Sequence, residues 1–97
     1  MNPKSLHYPA NPDDYVKWIN RCIGEEIRAR RREVERWGGQ DLSAYELGRA
    51  AKVSDQAVLN IEQAVNPNGS WTGTIARIAL RLGSTLPDIV VAATRRS

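Results

Sequence analysis

The chain has 97 residues, which is enough for one domain with a modest hydrophobic core and too few for two domains. It is 41% hydrophobic and 26% charged, as water-soluble globular proteins are, and its net charge of +3 suits a polyanionic partner only weakly. A single cysteine excludes an internal disulfide, and a single histidine supplies no metal site of the usual type, so we expect no enzymatic activity, metal or cofactor. Cys22 lies among apolar residues at helical spacing, which favours a buried thiol over a reactive one.

The sequence also predicts the cellular location of the protein. It contains no run of the roughly 18 apolar residues that a membrane helix needs, and its start, "MNPKSLHYPANP", lacks the apolar stretch of a signal peptide. We therefore expect a cytoplasmic protein with no membrane partner.

The first third of the chain predicts an arm followed by a long helix. Residues 1–12 contain three prolines and are expected to be extended. Apolar residues then recur at helical spacing and predict one helix from Asp13 to Trp37, with Asn20 and Gly24 as positions where it could break. The buried face of this helix is predicted to contain Ile19, Ile23, Ile27, Val34 and Trp37.

Residues 28–36 contain five arginines, as a nucleic-acid-binding patch would, but acidic residues lie among and before them. Glu26 and Arg30 are four residues apart, which is the spacing of a favourable ion pair on a helix. We therefore favour a solvated, partly self-paired helix face, with phosphate contacts from one or two of these arginines as the alternative. The middle of the chain is less basic still, because residues 41–66 contain two basic and four acidic residues.

The segment "LSAYELGRAA" predicts a short helix from about Ser43 to Ala51, because Ser43 and Glu46 form an S-x-x-E capping box. The connection "KVS" follows, and Ser54 at its end is a second helix cap. Two short capped helices joined by about three residues form a helix-turn-helix, here about residues 43–65. The buried stripe of the second helix is predicted to be Val58, Ile61 and Val65.

Two more helices are predicted after the turn-forming stretch "NPNGSW". The first is capped by Thr72 or Thr74, and the second has Pro87 in its first turn. The run "IVVAA" has the composition of a strand, but no partner strand exists for it. The expectation is an all-α fold of five helices, in which residues 13–97 form a single helix-turn-helix domain with a long first helix.

The spacing of these apolar and capping residues resembles the Cro and lambda-repressor family of helix-turn-helix domains, also called xenobiotic-response-element-like regulators. The resemblance covers roughly residues 23–90. It implies a compact five-helix domain that binds double-stranded operator DNA as a homodimer, with the second helix of the motif in the major groove. The residues that carry it are Leu42-Ser43, Leu47, Ala51, Val53-Ser54, Val58, Ile61-Glu62, Ile75, Ile78-Ala79, Leu82-Gly83 and Leu86.

Carried over position by position, the resemblance implies base contacts from Asp55, Gln56, Leu59 and Asn60. Helical geometry supports the same face, because these residues remain outward when Val58 and Ile61 point inward. Gln56 and Asn60 lie four residues apart, and both amides can pair with adenine. For Asp55 we favour stabilisation of the positive helix N-terminus, with recognition of a cytosine amino group as the alternative.

The resemblance also implies phosphate contacts, which we expect from Ser43, Tyr45, Lys52, Ser54, Asn68 and Ser70. Three positions depart from the family pattern. Ala44 stands where glutamine is common, Lys52 where glycine is frequent and Gly48 where alanine is favoured. Glu62, late in the second helix of the motif, is expected to be structural.

The main functional hypothesis is a sequence-specific DNA-binding transcriptional regulator of bacterial or phage type, acting as a repressor on a two-fold operator. The alternative is an antitoxin or protein-interaction module of a toxin–antitoxin pair, which binds a toxin or other protein and has autoregulatory or lost DNA binding. A third alternative, a DNA-modifying enzyme, has no cluster of carboxylates, histidine or cysteine in the sequence to support it.

Overall fold

The computed structural model describes residues 9–38, 42–65 and 71–95, and within these ranges the chain forms five α-helices and no strand. This confirms the all-α prediction for the described residues. None of the helices there is both long and apolar enough to cross a membrane. The helices are α1 (Pro12–Gly38), α2 (Ala44–Ala51), α3 (Asp55–Gln63), α4 (Trp71–Arg81) and α5 (Leu86–Thr94).

Helix α1 is continuous, so neither Asn20 nor Gly24 breaks it. It begins one residue earlier than predicted because the Asn11 side chain caps it. The Oδ1 atom of Asn11 accepts hydrogen bonds from the backbone N–H groups of Asp13 at 2.9 Å and Asp14 at 3.2 Å. These bonds satisfy N–H groups that have no partner within the helix.

The start of α4 differs from the sequence prediction. The helix begins at Trp71, so Thr72 and Thr74 lie inside it and neither is its cap. The start of helix α5 agrees with the sequence prediction, because Pro87 lies in its first turn. Its cap is Thr85, whose Oγ1 accepts a hydrogen bond from the backbone N–H of Asp88 at 3.3 Å.

The core receives side chains from all five helices. Helix α1 packs mainly against α3 and α5, while α2 packs against α3 and α4. Cys22 is buried, as predicted, and so is Trp18. The most deeply buried large side chains are Ile27, Leu47, Val58, Ile61, Ile78 and Ile89.

Two residues predicted to be buried are not. Val34 is 42% exposed and lies in the last part of the 27-residue α1. Val65 is 40% exposed because it follows Ala64, whose left-handed conformation ends α3 and turns the chain away from the buried stripe. The Trp37 side chain lies outside the described residues.

Candidate nucleic-acid interface

Helices α2 and α3 are joined by Lys52, Val53 and Ser54. Lys52 is left-handed, with φ 64° and ψ 42°, and this conformation lets Val53 N–H donate to the Gly48 carbonyl at 2.8 Å. Ser54 then starts α3, since its Oγ accepts from the Ala57 N–H at 3.0 Å. The predicted connection is therefore present, and the departure from glycine at position 52 is accommodated as a left-handed lysine.

Gly48 allows α2 to approach this connection closely. A Cβ atom on Gly48 would lie 2.9 Å from the Val53 carbonyl oxygen and 3.1 Å from the Asp55 nitrogen. Both are tighter than ordinary van der Waals contact. The absence of a side chain at this position therefore brings the end of the connection and the start of α3 against α2.

The outward side of α3 carries the residues predicted to contact bases. Asp55 and Gln56 are exposed, while Leu59 and Asn60 are half-buried. The Gln56 Nε2 atom donates a hydrogen bond to Asn60 Oδ1 at 2.9 Å, so the structure brings these two amides together. We call Asp55, Gln56, Leu59 and Asn60 the α3 outer face. Asp55 is the first residue of α3, where a carboxylate interacts favourably with the helix N-terminus.

The residues predicted to contact phosphate on α2 lie at its start. Ser43 is the N-cap, and its Oγ accepts from the Glu46 N–H at 3.1 Å, which is the serine half of the predicted capping box. Tyr45 is 53% exposed. The Arg49 guanidinium lies over the Tyr45 ring, 5.7 Å from its centroid, and donates to the Tyr45 hydroxyl at 3.3 Å.

Sequence reasoning did not single out Arg49. The signal available was its spacing of four residues from Tyr45, which places both side chains on one face of α2. On the connection, Ser54 and Lys52 are both exposed. The remaining phosphate candidates, Asn68 and Ser70, lie outside the described residues.

Helix α1 packs against α3 on the side away from the α3 outer face. A Cβ atom on Gly24 would lie 2.3 Å from the Ile61 carbonyl oxygen and 2.8 Å from that of Glu62, so only glycine permits this approach of the two helices. A buried ion pair lies at the same contact. The Arg31 Nε and Nη2 atoms donate to the two carboxylate oxygens of Glu62 at 2.7 and 2.9 Å.

Glu62 is 8% exposed, which agrees with its predicted structural role. Its ion-pair partner is Arg31 of α1, which also donates from Nη1 to the Leu42 carbonyl at 3.2 Å. Paired, two-point hydrogen bonds of this kind hold both side chains in one orientation. The arginine therefore joins α1, the start of α2 and the end of α3.

The arginine-rich run has mixed roles. Arg30 pairs with Glu26 at 2.6 Å, as the spacing predicted, and Arg31 is committed to Glu62. Arg28 and Arg32 are exposed. The self-paired interpretation therefore holds for Arg30, whereas the exposed members of the run are available to a partner.

Within the described ranges, no group of three or more histidine, cysteine, aspartate or glutamate side chains could hold a metal ion. The arrangement of α2 and α3 instead presents amides, hydroxyls and cations, which are hydrogen-bonding groups for bases and phosphates. Comparison with protein-family models gives no match. No curated protein and no solved structure matches the chain either.

Proposed function

We propose that the chain is a DNA-binding transcriptional regulator with a lambda-repressor-like fold. Helix α3 would lie in the major groove of double-stranded DNA, and α2 would lie across the phosphate backbone. The observation that carries this proposal is the hydrogen-bonded pair of Gln56 and Asn60 on the outward side of a short helix supported from behind.

The paired amides suit an adenine-containing site. With Gln56 Nε2 donating to Asn60 Oδ1, the Gln56 Oε1 atom remains an acceptor, and N–H groups of both side chains remain donors. Adenine presents an N6 donor beside an N7 acceptor in the major groove, which complements the Gln56 amide. The Asn60 donors then lie beside it and complement an acceptor on a neighbouring base.

Phosphate contacts would come from around α3. Tyr45 and Arg49 on α2 and Lys52 on the connection are exposed hydrogen-bond donors. Asp55 and Glu46 are exposed as well, so α3 gains little from general attraction to a polyanion. In this proposal the flanking cations provide affinity, and the α3 outer face provides the choice of sequence.

A repressor that occupies a two-fold operator as a homodimer is the simplest form of this function. Each subunit would contact one half-site, and the half-sites would lie about one helical turn of DNA, or a multiple of it, apart. Such a protein acts by excluding other proteins from the operator.

Selection of bound fragments from random double-stranded DNA tests the proposal. We expect the wild-type chain to enrich a two-fold motif. A chain with Gln56→Ala and Asn60→Ala should lose that motif while retaining weak, salt-sensitive binding. Glu33→Ala is the control, because Glu33 is an exposed polar residue on α1 rather than on α3 and should leave the motif unchanged. Failure of the wild type to enrich any motif would reject sequence-specific binding, and an unchanged motif in the double variant would reject this reading surface.

One observation favours the second candidate, an antitoxin or protein-interaction module. Residues 41–66 contain two basic and four acidic residues, which is an unusual balance for the part of a protein that contacts DNA. A toxin-like reading frame beside the gene, together with a stable complex of the two products after co-expression, would support this candidate. Enrichment of a DNA motif by the isolated chain would favour the simple regulator.

A further inference from the structure

A basic groove lies between the C-terminal ends of α2 and α4. Its volume is about 400 Å³. Three cations, Lys52, Arg77 and Arg81, line it together with Ala50, Ala51 and Leu80, and its lining includes no acidic residue. We call these six residues the basic groove.

The groove combines positive charge with an exposed apolar wall. Leu80 is 67% exposed, although large apolar side chains at such positions are usually covered in part. Arg81 is held in place, because its Nε atom donates to the Ala50 carbonyl at 2.7 Å. Lys52 and Arg77 are exposed. A segment that carries carboxylates directly beside apolar side chains would complement this surface.

The chain itself contains such a segment at the start of α1. Within the described ranges, Asp13 and Asp14 are the only sequence neighbours that are both acidic and exposed. The next two residues, Tyr15 and Val16, are 40% and 51% exposed. We call residues 13–16 the acidic start of α1. Residues 1–8 contain one lysine and no acidic side chain, and residues 95–97 contain two arginines, so neither segment offers the same pair of carboxylate side chains.

We propose that the basic groove of one copy of this chain binds the acidic start of α1 of a second copy. Asp13 and Asp14 would face Lys52 and Arg77, and Val16, which lies on the same side of the helix as Asp13, would cover Leu80. The contact is between copies because α1 packs mainly on α3 and α5, whereas the groove belongs to α2 and α4. In a two-fold dimer the contact occurs twice, so both grooves are filled and assembly stops at two chains.

The proposed contact involves few residues and is largely charged, so we expect the dimer to be weak. Interfaces below about 1,200 Å² are typical of weak or transient association. Exposed charges attract less strongly as salt rises, because the screening length falls from about 10 Å at 0.1 M to about 3 Å at 1 M. The dimer should therefore be most populated at low ionic strength. Dimerisation requires no DNA, but Lys52 is also a proposed phosphate contact, so the dimer contact and DNA compete for this side chain.

Sedimentation equilibrium of the full chain without DNA tests the proposal through charge reversal. The first variant carries Asp13→Lys and Asp14→Lys, and the second carries Lys52→Glu and Arg77→Glu. Each places like charges opposite one another in its own dimer, so each dissociation constant should rise at least about 10-fold. Arg81 is left unchanged because it also bonds the end of α2.

An equimolar mixture of the two variants gives the decisive result. Both contacts of the mixed dimer again pair opposite charges, so association should return to near the wild-type level. A single chain carrying all four substitutions should also dimerise. Matched controls are Glu33→Lys and Arg28→Glu, which reverse exposed charges elsewhere on α1 and should leave the dissociation constant within about 2-fold of the wild type.

Circular dichroism of every variant shows whether it keeps its helices, since Asp13 and Asp14 also lie at a helix N-terminus. If either reversed variant unfolds, Asp13→Asn with Asp14→Asn and Arg77→Met replace the reversals, and each should weaken the dimer. A monomeric wild-type chain at low salt would overturn the proposal. So would a dimer that the reversals do not weaken, or a mixture of folded variants that does not associate.

Discussion

Lys52 and Ala64 each follow a short helix and adopt the left-handed backbone conformation, with φ of 64° and 55°. In both places the conformation lets the next residue donate back to the helix it leaves, Val53 to Gly48 at 2.8 Å and Val65 to Asn60 at 2.9 Å. A residue with a Cβ is strained there by roughly 1–2 kcal/mol. Lys52 therefore combines a strained backbone conformation with a positive charge.

Replacing Lys52 by glycine separates these two effects. We expect Lys52→Gly to raise the free energy of unfolding by roughly 0.5–1 kcal/mol, because relief of strain exceeds the entropy that glycine adds to the unfolded chain. Urea denaturation measures this. In a DNA-binding titration the same variant should bind more weakly, since it loses a cation.

Ala64→Gly is the matched control for that pair of measurements. It relieves the same kind of strain at the opposite end of α3 and should stabilise the fold without changing DNA binding. A less stable Lys52→Gly variant would show that the lysine side chain contributes more to the fold than the strain costs.

At the scale of elements, the contact between α1 and α3 decides where the α3 outer face lies. Gly24 lets the two backbones approach, and the Arg31–Glu62 pair holds them at one register. Their exposed side-chain fractions, 12% and 3%, make this a buried pair, whose loss on one side leaves an uncompensated charge. Helix α3 is only nine residues long and would be marginal alone, so its position depends on this packing.

Gly24→Ala should therefore damage the fold. The new Cβ would lie 2.3 Å from the Ile61 carbonyl oxygen, which is backbone and cannot rotate away. We expect a loss of roughly 1–3 kcal/mol or more in the free energy of unfolding, measured by thermal or urea denaturation.

Gly73→Ala makes the same chemical change in α4, where a Cβ would meet nothing within 4 Å. It should stabilise the protein by roughly 0.5–1 kcal/mol, because alanine favours a helix over glycine. Equal effects of the two substitutions would mean that α1 and α3 are not in the close contact described above.

At the scale of the whole molecule, the charge distribution differs from that expected of a DNA-binding protein, in which the segment that contacts DNA is basic. The net charge is +3, yet the segment containing α2 and α3 carries more acidic than basic residues. Several basic side chains are also committed to internal contacts, with Arg31 on Glu62, Arg30 on Glu26 and Arg81 on the Ala50 carbonyl. Few cations therefore remain beside the α3 outer face, and binding to DNA should involve few phosphates.

The salt dependence of DNA binding measures the number of phosphates that the protein contacts. The logarithm of the binding constant should fall linearly with the logarithm of salt concentration, with a slope of about −0.9 for each phosphate neutralised. Removing a phosphate contact by Lys52→Ala or Arg49→Ala should make the slope shallower by about 1. Gln56→Ala should weaken binding to the preferred site and leave the slope unchanged. A flat salt response of the wild-type chain would count against phosphate contacts altogether.

Much of the local structure was predictable from the sequence. Ser43 and Ser54 cap α2 and α3 as expected, because a serine side chain satisfies N–H groups within three residues of itself. The Glu26–Arg30 pair was predictable for the same reason, since both residues lie on one helix. The α3 outer face follows from helical periodicity once Val58 and Ile61 are assigned to the core.

Only the tertiary structure decided the relations between helices. Arg31 and Glu62 are 31 residues apart, and no local pattern pairs them. Gly24 resembled a helix breaker in the sequence but is the point where α1 meets the α3 backbone. The basic groove likewise exists only where the ends of α2 and α4 come together. Caps and periodicity follow from hydrogen bonds within a few residues, whereas these contacts depend on how whole helices pack, which is a property of the complete core.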